Sequence, residues 1–129
     1  MNTNELQLCS YEQAIRLKAA GFDWPTISYW DTVVNSRLRH HGKPIDHNND
    51  AQYAKEEWGK YISAPTVELA LKFFRDAKGI IYNIIYHITF QKWEGWIFYR
   101  EWKRCGIFEQ YEEAANSVLE RLLTLIEQK

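Results

Sequence analysis

The chain has 129 residues, of which 46% are hydrophobic and 26% charged. That is ordinary globular composition, sufficient to bury a core without disulfides or metals, and it excludes wholesale disorder. The formal net charge of −1 and sequence pI of about 6.4 exclude a global field for nucleic acid or anionic lipid. Mean hydropathy is −0.50 and no apolar run approaches a membrane span. The high aromatic share, 16% with six Trp and eight Tyr, exceeds what a core of this size usually needs.

The first helix begins at Ser10, which has the S-x-x-Q capping-box spacing with Gln13. Tyr11, Ala14, Ile15 and Leu17 form a short apolar stripe, and Gly21 is a stop that adopts a left-handed conformation cheaply. Residues 26–34 are β-branched and aromatic and predict a strand. Arg37 to His40 form a weaker second strand after an Asn35-Ser36 turn. The segment 35–62 is irregular, with a short helix expected at Ala51–Trp58. A second helix is capped by Ser63 or Ala64, with Pro65 in its first turn. It buries Val67, Ala70, Leu71 and Phe74 and ends at Gly79.

Ile80 to Phe90 alternates as a strand, with its even residues apolar and its odd set including Asn83 and His87. A Gly-containing turn at Gln91–Gly95 then leads to a second strand, Trp96–Arg104, completing an antiparallel hairpin. The even set of the first strand is expected to face the helices. Either the Trp96 set or the Ile97 set of the second strand joins it. The last helix runs from Tyr111 to Glu127, with Glu112 and Glu113 at its positive end. Val67, Leu71, Phe74, Ile84, Tyr86, Val118 and Leu122 are the expected core. The fold class is α+β: an antiparallel hairpin-based sheet packed by three helices, order α-β-(β)-α-β-β-α, in a single domain over 1–129.

Residues 9–23, 61–75 and 111–114 carry a resemblance. They are similar to small, uncharacterised proteins encoded by phages and prophages of gut bacteria. The resemblance implies a cytoplasmic, mobile-element setting and supplies no activity or catalytic residue. Segments 35–60 and 91–105 lie outside it. Met1–Glu5 have neither a basic nor an apolar signal-peptide region, so a cytoplasmic location is expected, with Cys9 and Cys105 as reduced thiols.

Three constellations bear on chemistry. His40, His41, Asp46 and His47 offer metal-ligand types near Asp50 but fit no ligand template, so the expectation is a solvated loop without metal or cofactor; a metal-dependent hydrolase is the remote alternative. His87 is a candidate general base only if a carboxylate reaches it, and Glu101 across the hairpin is the candidate partner. No nucleophile motif or phosphate loop is present, so no catalytic residue is assigned. The third constellation is Trp93, Trp96, Tyr99, Arg100, Trp102, Lys103 and Arg104, with Ile85 and His87 on the neighbouring strand. Rings interleaved with cations mark protein interfaces. They also mark single-strand nucleic-acid platforms, but residues 80–108 balance at only +2 and residues 109–129 at −3. The expected function is a non-catalytic protein-interaction module whose partner is another protein or a second copy of the chain, the latter pairing through a covered outer hairpin face or through the exposed strand Trp96–Arg104. Nucleic-acid binding through the same hairpin is the second reading.

Overall fold

A computed structural model describes residues 7–32, 37–48 and 61–128. The expected Asn35-Ser36 turn and the Ala51–Trp58 helix lie outside these residues. Among the described residues the architecture is α+β, with three helices and two antiparallel sheets. It divides into two compact units, Met1–Thr66 and Val67–Lys129.

The first unit contains α1 (Tyr11–Ala19), β1 (Thr26–Asp31), β2 (Arg37–Ile45) and β3 (Tyr61–Ser63). α1 starts where the capping box closes. Gln13 N–H donates to Ser10 Oγ at 3.1 Å, and Ser10 N–H donates to Gln13 Oε1 at 3.0 Å. Gly21, at φ 94°, ends the helix as its spacing predicts. Ala14 and Leu17 are buried, whereas Ile15 is exposed. The sheet order is β2-β1-β3, all antiparallel. The expected strand at Arg37–His40 is therefore present and runs on to Ile45, and Tyr61–Ser63 adds a strand where irregular chain was expected. β2 runs through Pro44, which an edge strand tolerates because one row of its N–H groups needs no partner.

The second unit contains α2 (Val67–Lys78), β4 (Ile81–His87), β5 (Lys92–Tyr99), β6 (Glu101–Phe108) and α3 (Tyr111–Glu127). α2 begins later than the Ser63–Ala64 cap implies. Ser63 belongs to β3, the Pro65 carbonyl accepts from Cys9 N–H at 2.9 Å, and Thr66 bridges to Leu8. The expected hairpin is a three-stranded meander, order β4-β5-β6. Its first turn is Ile88–Gln91, not Gln91–Gly95, so Ile88 and Phe90 project from a loop at 82% and 71% exposure. The strand expected over Trp96–Arg104 breaks at Arg100, which adopts φ 69°.

Val67, Leu71, Phe74, Val118 and Leu122 are buried as expected. Ile84 is half-buried, and Tyr86, at the hairpin end of its face, is exposed and rests against Trp93. Gly95 brings β5 against α3, where a Cβ would stand 2.7 Å from Val118 Cγ2. That contact fixes the orientation of the sheet. Tyr82, Ile84, Gly95 and Ile97 look toward the helices. Ile81, Asn83, Ile85, Glu94, Trp96 and Phe98 look away.

Candidate functional site

Strand alternation and the observed register build the outer face of β4-β5-β6 in cross-strand rows. One row is Ile81–Phe98–Trp102, the next Asn83–Trp96–Arg104, and the third Ile85–Glu94–Ile107. The first is wholly apolar yet open, with Ile81 at 50%, Phe98 at 37% and Trp102 at 49% exposure. The Phe98 and Trp102 rings meet at 5.3 Å. Ile85 and Ile107 extend the apolar surface along both flanking strands.

At the centre of this face lies a buried carboxylate. Glu94 accepts from the Trp96 indole N–H, lies 3.2 Å from His87 Nε2, and pairs with Arg104 at 3.6 Å. Burial pushes the Glu94 carboxyl up. The hydrogen bond from Trp96 and the neighbouring His87 and Arg104 outweigh that and hold it below the usual range. His87 therefore has a carboxylate partner, but it is Glu94 and not Glu101, which pairs with Tyr99 at the opposite end of the sheet.

The rings and cations that interleave in sequence part company in space. Trp96, Trp102, Arg104, Ile85 and His87 share the outer face. Trp93 turns inward against Tyr111, with ring centroids 5.1 Å apart. Tyr99 and Lys103 line a groove beside α3, and Arg100 sits at the turn over the Tyr99 ring. Because β5 is paired on both sides, Trp96–Tyr99 offers no free edge; β4 and β6 are the edges of this sheet. Sequence reasoning missed Glu94 and Ile107; it placed Ile81 on the face looking away from the helices and left the face of Phe98 open. Their shared face follows from register, and the alternation of β5 alone left it open.

The histidine-rich segment is not a solvated loop. His40 and His41 lie on β2, and His40 Nδ1 is 2.7 Å from Ser28 Oγ. His47 is fully buried, stacked on Tyr29 at 4.4 Å, with Nε2 donating to the Thr26 carbonyl at 3.0 Å. Asn48 donates to the Phe22 carbonyl and accepts from Ser63 N–H. These side chains tie the end of β2 to β1 and β3. Among the described residues no three His, Cys, Asp or Glu side chains gather as a metal-holding group. Neither Cys9 nor Cys105 is in a disulfide. Among the described residues no helix is long and apolar enough to cross a membrane.

No protein-family model matches this chain, and neither a curated protein nor a solved structure is similar to it. The chemistry of the outer face is what carries a functional reading.

Proposed function

We propose that this chain is a non-catalytic protein-interaction module, cytoplasmic and of the kind that phages and prophages carry. It binds a protein partner, foremost a second copy of itself, on the outer face of β4-β5-β6. The observation that supports this is the open Ile81–Phe98–Trp102 row. Apolar residues contiguous across three strands exceed the scattered exposure of an idle surface. Trp with a neighbouring Arg is also the composition of interface centres. A two-fold pairing of this face would be isologous and closed.

The cations favour protein over nucleic acid. Arg104 is matched by Glu94, Lys92 by Glu109, and Lys103 stands on the other side of the sheet. The rings of the outer face therefore lack the basic track that follows a phosphate backbone.

Sedimentation velocity from micromolar to submillimolar protein tests the reading. A dimer is expected that Trp102→Glu dissociates without changing the circular dichroism of the monomer. A monomer at every concentration would overturn self-association and leave a foreign protein as the partner. Tyr99 is unsuited to this test because it lies on the helix side.

A further inference from the structure

The opposite side of the same sheet carries a concavity that interaction through the outer face does not use. Between β5, β6 and the C-terminal half of α3 lies a half-open groove of about 360 Å³. That is within the range of small-ligand sites. Ile97, buried in β5, and Leu125 of α3 supply apolar wall. Ser117 and Tyr99 bring hydroxyls.

Two cations reach this groove from different elements, Lys103 from β6 and Arg121 from α3. Neither forms an ion pair among the described residues. Glu120 is the one carboxylate among the described lining residues, so the lining keeps a net positive charge. A third cation, Arg100, stands over the Tyr99 ring, 5.5 Å from its centre. Three of the five other cations described in this unit are matched by a carboxylate: Arg75 by Asp76, Lys92 by Glu109 and Arg104 by Glu94. Convergence of unmatched cations on the concave part of the surface is a pattern that selects an anion.

We propose that this groove binds a small organic oxyanion, a carboxylate or phosphate on a compact apolar body. The oxyanion lies between Lys103 and Arg121, and the apolar body rests against Ile97 and Leu125. An Arg fork suits either oxyanion, and an ammonium adds a point charge from the other wall. An apolar body is required because part of the groove wall offers no hydrogen bond.

The test is an amide-shift titration of the isotope-labelled full chain with four probes: phenyl phosphate, phenylacetate, inorganic phosphate and benzyl alcohol. Saturable shifts are expected at Tyr99, Lys103 and Arg121 with phenyl phosphate or phenylacetate, and the tighter of the two names the oxyanion. Arg121→Gln and Lys103→Gln should each weaken that binding about tenfold, the loss of one charge-assisted contact. Both side chains are exposed, and unshifted β4 and α2 amides verify that the variants keep their fold. Absence of saturable groove shifts with either organic anion would overturn the proposal. So would benzyl alcohol binding as tightly as the anions, since the cations would then contribute nothing. Inorganic phosphate binding as tightly as phenyl phosphate would overturn it too, since the apolar wall would be idle. These outcomes are independent of the outer face and of whether the chain dimerises.

Discussion

Replacing Gly95 with Ala places a methyl group where β5 meets α3. The added Cβ would stand 2.7 Å from Val118 Cγ2, 3.4 Å from the Ala114 carbonyl oxygen and 3.7 Å from Cys105 Cβ. Val118 is fully buried in mid-helix, where a β-branched side chain has essentially one rotamer, so it cannot swing aside. Overpacking of this kind costs roughly 1–3 kcal/mol. Against it, Ala lowers the entropy of the unfolded chain and recovers about 0.4–1 kcal/mol. Gly95→Ala should therefore destabilise by about 1–2 kcal/mol. Val118→Ala alone should cost about 2 kcal/mol through lost methyl burial and the cavity left behind. The double variant should be more stable than the sum of the two by about 1 kcal/mol, because the new methyl occupies the space that Val118 vacates. Urea denaturation at constant slope reads all three. If Gly95→Ala is as stable as the parent, or if the two changes add without interaction, β5 does not approach α3 in this way.

Two further outcomes follow from the second unit. Leu71 is fully buried on α2, so Leu71→Ala should cost roughly 2–5 kcal/mol by the same assay. The Glu94 carboxyl titrates below its ordinary value, so the unfolded chain takes up its proton first on acidification. Its contribution is complete above the ordinary glutamate value and is lost as pH falls through the depressed one. Glu94→Gln should accordingly flatten the acid limb of stability against pH while lowering stability at neutral pH.

What was legible in the sequence is what is locally caused. The capping box of Ser10 and Gln13, the stop at Gly21 and the bounds of α3 are set by residues within a few positions of one another. The burial of Val67, Leu71 and Phe74 follows from the helical period. The turns of the meander were not legible because they carry no turn chemistry. Ile88–Gln91 holds two large apolar residues, and Arg100 takes a left-handed φ without being Gly, Asn or Asp. Gly95, the glycine of the expected turn, is a mid-strand residue kept small by Val118, more than twenty positions away. With the turns shifted, so was the pairing, and His87 was matched to Glu101 when its true neighbour was Glu94. The face holding Trp96, Phe98 and Trp102 follows once the register is known.

The two sheets differ in how far the chain must travel to close them. β4, β5 and β6 pair in chain order, through a four-residue turn and then at Arg100. In the other sheet β3 must find β1 after β2 has already folded back, with residues 46–60 still to be drawn in. A connection about four times as long adds roughly 1 kcal/mol of closure entropy. Synthesis therefore releases the slower half first. The N-terminal sheet waits for Tyr61–Ser63 to arrive, while the C-terminal meander zips up turn by turn as it emerges, so the later half of the polypeptide is the quicker to reach its native pairing.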